Sequence, residues 1–379
     1  MKFRKLMTAA AGVLMAASLA ACSGGGAGGT TAPTSGGGGE TSAAAGGKVG
    51  VSMPTQTSER WIADGNAVES QLKEAGFEVD LQFANDDIPT QAQQIDQMIL
   101  KDVKVLIIAS IDGTALAPQL DAAAAKGIKV IAYDRLIRDS ANVDFYVSFD
   151  NFKVGVAQGQ SLIDGLKASG KPAPWNVELF AGSLDDNNAH FFFNGAMSVI
   201  QPLIDSGEIK VPSGQTSIDQ AAILRWQQET AQKRMEDLLT ANYQGDTKVD
   251  GVLSAYDGLS RGIITALQNN GYSGEIGKGF PVVTGQDAEI GSVKLIQDGV
   301  QYSTIFKDTR LLAEQAVKSA TELLEGKDPE ANNTEDYDNG VKVVPSYLLD
   351  VVTVTKENIT AALVDTGYWT QEQIDKGVA

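Results

Sequence analysis

The sequence predicts an α/β fold with parallel-rich sheets arranged in two blocks. From residue 48 onward, short apolar runs of strand character alternate with segments whose apolar residues recur every three or four positions. One run, 103–109, is apolar at nearly every position, as a strand covered on both faces requires. A chain of 379 residues is ample for two such cores.

Taken in order, the strand over 48–54 alternates Val49, Val51 and Met53 and stops at Pro54. Helical spacing over 62–75 is closed by Gly76. A strand at 79–83 follows. Beyond Asp86, Asp87 and Pro89, the apolar Ala92, Ile95, Met98 and Ile99 fall on one helix face. The buried run 103–109 leads to a helix over 115–125, then to strands at 129–133 and 145–149. A helix from Val154, a strand at 177–180 and a helix over 195–204 continue the pattern, with Arg225-Trp226 later in an otherwise helical context. Further strands fall at 251–254, 282–284 and 302–306. Such a series of βα units implies parallel sheets with right-handed crossovers. The first block is 48–150, and the second starts at 151 and reaches about 304.

The N-terminal end carries an address. Lys2, Arg4 and Lys5 precede an apolar stretch over 6–21 that is too short to span a bilayer and has signal-peptide form. It ends in Leu19-Ala20-Ala21-Cys22, which looks like a lipobox: 1–21 is the signal, and Cys22 becomes the acylated first residue. Two acyl chains give stable membrane attachment. Residues 22–47 contain eleven of the forty glycines and little that could be buried, so they read as a flexible tether. The body is therefore expected at the extracellular face of a membrane.

The chain has 30 basic and 48 acidic residues, a net charge of −18, and loss of the leader removes three basic side chains to leave −21. That balance argues against a nucleic-acid partner. One cysteine excludes an intramolecular disulfide, and one histidine excludes a multi-histidine zinc site. From residue 48 onward neither GxGxxG nor GxxxxGK[ST] occurs, so no nucleotide signature and no cofactor are expected. Asp86-Asp87 and Asp185-Asp186 lack the spacing of a calcium loop, so no metal is expected either.

In open α/β sheets ligands bind beyond the carboxyl ends of strands, and the unusual polar groupings fall there. The first strand leads to Ser58, Glu59, Arg60 and Trp61, the fourth to Asp134-Arg135, and the strand at 177–180 to Asp185-Asp186-Asn187-Asn188-Ala189-His190. Tyr256-Asp257, Gln286-Asp287 and Lys307-Asp308 follow the later strands. Carboxylates and amides accept from adjacent hydroxyls, guanidinium and ammonium groups donate, and an indole covers the apolar face of a ring: the set suits a neutral polyol. Each group also has a local reading, since strand-end Asp residues cap helices and Asn runs form turns. Glu59 and Lys153 read as solvated. His190 could act as a general base with Asp134 or Asp287 as its carboxylate partner. Flanked by Ala189 and Phe191-Phe192-Phe193, however, it reads as packed in or near the ligand wall.

From about 48 to 368 the chain resembles the periplasmic-binding-protein family of type I, in particular its multiple-monosaccharide-binding subgroup. The resemblance is carried by PTQTSERWIADG (54–65), VKVLIIASIDGTAL (103–116), KVIAYDRLI (129–137), YVSFDNFKVG (146–155), ELFAGSLDDNNAHFFFNGAM (178–197), LSAYDGLSRGI (253–263), VVTGQDAE (282–289) and YSTIFKDTRLLA (302–313). It implies two Rossmann-like lobes joined by a three-crossing hinge. The first lobe would be 48–150 plus 307–340, the second 151–306 plus 341–355, and 356–379 a final helix or tail.

Carried over position by position, the resemblance implies sugar contacts from Arg60, Trp61, Asp134, Arg135, Asn188, His190, Arg225, Trp226, Asp257, Asp287 and Lys307. It implies no catalysis, a monomer, and an ABC permease as partner for an aldose such as glucose, galactose, xylose or arabinose. A sensor that presents its closed form to a receptor is the alternative task for the same fold. The lipobox and long tether depart from periplasmic members and imply a Gram-positive cell; they concern anchoring alone.

Overall fold

The computed structural model describes residues 46–379; the leader, Cys22 and nearly all of the tether lie outside them. The first lobe begins with β1 (Lys48–Met53), α1 (Glu59–Glu74), β2 (Glu78–Phe83), α2 (Ile88–Leu100), β3 (Val105–Ile108), α3 (Ala117–Ala125), β4 (Lys129–Tyr133) and β5 (Phe145–Phe149). The second lobe takes up α4 (Asn151–Ala168), β6 (Trp175–Phe180), α5 (Asn187–Ser206), β7 (Ile209–Lys210), α6 (Ile218–Ala221) and α7 (Gln228–Asn242). It continues with β8 (Gly251–Ser254), α8 (Asp257–Asn269), β9 (Val282–Val283), α9 (Ile290–Gln297) and β10 (Ser303–Phe306). The chain returns to the first lobe with α10 (Thr309–Leu324) and β11 (Ser346–Leu349), crosses again to β12 (Val352–Thr355), and ends in α11 (Gln371–Lys376).

Every pairing in the first sheet is parallel, in the order β11-β5-β4-β3-β1-β2. Strand alternation divides its side chains between two cores. Val49, Val51, Ile107, Ile131 and Val147 face α1 and α10, meeting Val68, Leu72, Leu312 and Ala316. Leu106, Ile108, Val130 and Tyr146 face the other way, onto Ile95, Met98 and Leu120. The second sheet runs β7-β6-β8-β9, also parallel. Val177 and Leu179 meet Leu162 and Leu166 on one side, while Phe180 and Val252 meet α7 and α8 on the other. Beyond β9 the backbone runs beside β10, with Asp287 N donating to Ile305 O at 2.8 Å, and β10 pairs antiparallel with β12.

The lobes are joined at three places: between β5 and α4, between β10 and α10, and between β11 and β12. Asp150 N donates to Leu349 O at 3.2 Å, so the first and third crossings lie side by side. Three expectations are corrected here. The segment 341–355 does not belong to one lobe, because Ser346–Leu349 pairs in register with Tyr146–Phe149 in the first sheet; the third crossing lies at Asp350-Val351. Helix α5 starts at Asn187 rather than at 195, because Asp186 caps it by accepting from Asn188 N at 3.0 Å. Arg225 and Trp226 lie in a single 3-10 turn, Leu224–Trp226, between α6 and α7 and not in a regular helix, since both sit at φ 55°.

Candidate binding site

A cavity of about 460 Å³ lies between the lobes, within the range usual for small-molecule sites. Nine of the eleven residues named from the sequence line it: Arg60, Trp61, Asp134, Arg135, Asn188, Arg225, Trp226, Asp287 and Lys307. Strand ends deliver all but Arg225 and Trp226, which come from the turn between α6 and α7.

Arg60 sits in the first turn of α1 and is almost completely buried. Its Nε donates to Asp64 Oδ2 at 2.9 Å, one terminal nitrogen meets Asp134 Oδ2 at 2.5 Å, and the other lies 3.5 Å from Asp287 Oδ1. Lys307, in the second crossing, is 1% exposed; its Nζ lies 2.9 Å from Asp287 Oδ1 and 3.9 Å from Asp134 Oδ2. Two cations and three carboxylates thus form one buried network that draws on both lobes and the hinge. Burial alone would raise the Asp134 carboxyl, but Arg60 and Lys307 outweigh it and hold Asp134 below the ordinary carboxylate range. Asp64 has no such surplus of cations, and burial pushes it up to about 6 against the pull of Arg60.

Asp134 is aimed by its backbone. It sits at φ 59°, and its carbonyl accepts from Tyr146 Oη at 2.6 Å, Ser148 Oγ at 2.9 Å and Asn188 Nδ2 at 2.9 Å. Asn188 therefore reaches from the second lobe onto the first, and Asn151 Nδ2 donates to its Oδ1 at 3.0 Å. Arg135 lies 3.1 Å from Asp186 of the other lobe and donates to Ser110 O at 3.2 Å. The guanidinium carbons of Arg60 and Arg135 lie 4.8 and 5.0 Å from the Trp61 ring centroid, which fixes the indole in the wall.

On the second lobe, Arg225 pairs with Asp185 at 3.1 Å. The Trp226 ring stands edge-on to Phe192 and Tyr256, and a Cβ at Gly182 would lie 2.0 Å from it. Only glycine at 182 lets the indole lie against that backbone.

Among the described residues, six of the nine non-glycine residues at positive φ line the cavity: Asn85, Asp86, Asp134, Arg225, Trp226 and Asp287. Each such residue costs of order 1–3 kcal/mol, and the cost falls on the backbone that aims these side chains.

Two of the residues named from the sequence lie elsewhere. Asp257 opens α8 but is fully buried behind the cavity, where it accepts from Gln301 Nε2 at 2.8 Å, Glu289 N at 3.0 Å and Thr304 Oγ1 at 3.0 Å. Burial first, and Glu289 second, push its carboxyl well above the ordinary value. Its oxygens are spent on the fold. His190 is half-buried on α5, where its Nε2 lies 3.3 Å from Leu184 O, and it does not line the cavity. It faces away because Asn188 and Phe192 occupy the inward side of α5.

Tyr256 and Gln286, named only as members of strand-end groupings, and Arg261 and Asp86, not named as sugar contacts at all, also line the cavity. Their signal was position alone, within two to eight residues of a strand end. Glu59, read as solvated, is half-buried and accepts from Ile290 N across the cleft at 2.8 Å.

Comparison with known proteins adds a second line of observation. The periplasmic binding protein domain family matches residues 49–328. The multiple sugar-binding periplasmic receptor ChvE of Rhizobium radiobacter is 56% identical over 328 residues, covering 86% of this chain and 92% of that protein. The multiple sugar-binding periplasmic protein SbpA of Azospirillum brasilense is 54% identical, covering 86% and 90%. The crystal structure of an ABC transporter solute-binding protein from Clostridium phytofermentans, with bound β-D-glucose, superposes with a TM-score of 0.82 at 45% identity, covering 86% of this chain and 99% of that one.

Proposed function

The chain belongs to the periplasmic-binding-protein family, and on that footing we propose that it captures a monosaccharide between its lobes and delivers it to an ABC importer. The observation that carries this reading is the buried network of Arg60, Asp134, Asp287 and Lys307. It places donors and acceptors from both lobes around one cavity, and no lobe alone completes it. Carboxylates held ionised accept from hydroxyls, while the guanidinium and ammonium groups keep protons to donate to ring or hydroxyl oxygens. Because each cation already has a carboxylate partner, the wall favours a neutral ring over a charged one.

In this reading Asp134, Asp287 and Asn188 grip hydroxyls, Arg60, Arg135, Arg225 and Lys307 donate, and Trp226 with Trp61 covers the apolar ring faces. Contacts to both lobes favour the closed arrangement, so sugar shifts an open–closed equilibrium. Glucose, galactose, xylose and arabinose are the leading ligands; among them glucose is supported by the related Clostridium phytofermentans structure with bound β-D-glucose. Anchoring through acylated Cys22 at the outer face of a Gram-positive membrane, and action as a monomer, complete the proposal. The anchor rests on the lipobox sequence, and Cys22 lies outside the described residues.

Calorimetry of the mature body against the four aldoses, with ribose and fructose alongside, tests the reading. One-to-one binding at micromolar affinity or tighter, about −8 kcal/mol or better, is the expected result. Silence across the panel sinks it.

A further inference from the structure

Two helices that face each other across the cleft both forgo their own caps. Ser58 holds the N-cap position of α1 yet makes no side-chain cap; its hydroxyl instead donates to Glu289 Oε1 on the other lobe at 3.0 Å. Glu289 holds the N-cap position of α9 and likewise makes no side-chain cap. The first amide of that helix, Ile290 N, donates to Glu59 Oε2 of the first lobe at 2.8 Å. An N-cap serine ordinarily bonds the second or third amide of its own helix; here the Ser58 hydroxyl is turned across the gap instead, and the first amide of α9 is served from across it. Neither contact can exist when the lobes are apart.

The same Glu289 also touches the cavity wall. Tyr256 Oη donates to its Oε1 at 2.6 Å, and Arg261 donates to its Oε2 at 2.6 Å; both residues line the cavity. Its backbone amide is held by Asp257 Oδ2 at 3.0 Å. Glu289 is therefore a buried junction between the ligand-facing surface and the seam of the lobes.

We propose that Ser58 and Glu59, meeting Glu289 and Ile290, form a latch that engages only in the closed form and sets how long the ligand is retained. The proposal rests on the binding-protein reading given above. Glu59 acts as a positioning residue, on the closing seam and outside the cavity lining, whereas Ser58 lies on the seam and also lines the cavity. A carboxylate accepting from a helix-terminal amide is a charge-assisted bond aligned with the helix dipole. Its loss should be felt in the rate of opening, because association begins from the open form, where the latch is broken.

The experiment compares the mature protein with Glu59→Ala, Glu59→Gln and Ser58→Ala, using the best aldose from calorimetry and a dye pair with one label on each lobe. Glu59→Ala should release sugar about tenfold faster, ~1.4 kcal/mol, with an unchanged association rate. Its melting temperature without sugar should match wild type, which a merely structural role would not allow. Glu59→Gln keeps an acceptor oxygen and should recover part of the retention, and Ser58→Ala should show a smaller loss than Glu59→Ala. The closed population reported by the dyes should shrink in Glu59→Ala. Wild-type release and wild-type lobe distances in Glu59→Ala overturn the latch. So does a fall in association rate and ligand-free melting temperature together, which would mark a folding defect. If the wild type binds no aldose, the binding reading fails by itself, and the latch is judged on the ligand-free lobe distances alone: a smaller closed population in Glu59→Ala supports it, and identical distributions overturn it.

Discussion

Trp369 donates its indole N–H to the carbonyl of Ala288 at 2.9 Å, tying the C-terminal tail to the residue that follows Asp287. Asp287 and Ala288 sit at φ 91° and 50°, a strained pair that holds the Asp287 carboxylate toward Arg60 and Lys307. The tail packs here through Tyr368, Trp369 and Leu363 against Phe306 and Ile290. Trp369→Phe keeps the ring and removes the bond. It should weaken sugar binding about three- to tenfold, the usual net value of one hydrogen bond, with a small change in melting temperature. Calorimetry paired with thermal melts checks this; an unaltered affinity would mean that the turn needs no brace.

Asp257 and Asp287 follow similar local sequences, Tyr256-Asp257 and Gln286-Asp287, yet they should respond in opposite ways to truncation. Asp257→Ala strips the acceptor from Gln301, Thr304 and the Glu289 amide, all buried. It should cost about 2–4 kcal/mol of folding stability. Asp287→Ala opens the cavity wall and should lower affinity about 30-fold or more, with the fold largely intact. Denaturant unfolding and calorimetry on both variants separate the two outcomes.

That pair also marks the limit of what the sequence can tell. Alternation at Val49, Val51 and Met53, and the apolar run around Ile107, made the strands of the first sheet legible because burial imposes a period. The strand ends, and so the neighbourhood of the site, followed from them. Which strand-end side chain turns inward depends on φ: Asp134 and Asp287 are turned by positive-φ backbone, whereas Asp257 opens a helix and points back. Nothing in residue type distinguishes those conformations. The third crossing was expected between 340 and 341 and lies instead at Asp350-Val351, because β11 and β12 are four residues each and leave too little period to divide. The roles of Ser58 and Glu59 were illegible for a different reason: their partners are more than two hundred positions away.

A pH dependence follows from Asp64. Its carboxyl is fully buried and pushed up to about 6 from an ordinary 3.8, chiefly by burial, with Arg60 opposing. The folded state therefore binds more protons than the unfolded state between about pH 4 and 6, and stability falls as pH rises through that window. Asp134 has the opposite sign, being held below the ordinary range, and its contribution is lost only as pH falls below that range. Relative to Asp64→Asn, wild-type stability should decline from pH 4 to 6, by up to about 3 kcal/mol, and then level off. Urea unfolding at four pH values measures the difference; a flat difference removes the assignment.

Replacement of Cys22 by Ser should release the protein from membranes while leaving sugar affinity untouched, because the Gly-rich segment that follows has no apolar pattern to contribute to a core. Detergent partitioning of wild type and variant decides. Equal partitioning into the detergent phase would exclude the lipid anchor.

Gly182 controls the aromatic wall without itself offering any group to a ligand. A methyl group there would meet the Trp226 ring at 2.0 Å, and that contact is with a ring braced edge-on by Phe192 and Tyr256, so the indole has little room to yield. Trp226 is already at φ 55°, which limits relief through its own backbone. Gly182→Ala should therefore tilt the indole into the cavity and lower affinity about tenfold or more, since both the stacking surface and the free volume change. Trp226→Ala should also bind weakly, but it enlarges the cavity, so it should discriminate less between a hexose and the pentose that lacks the extra hydroxymethyl group. Gly182→Ala narrows the same space and should shift preference toward the smaller ring. Paired calorimetry with glucose and xylose on both variants reads the two shifts. Retention of wild-type affinity by Gly182→Ala would place the sugar away from Trp226 and remove the indole from the ligand wall.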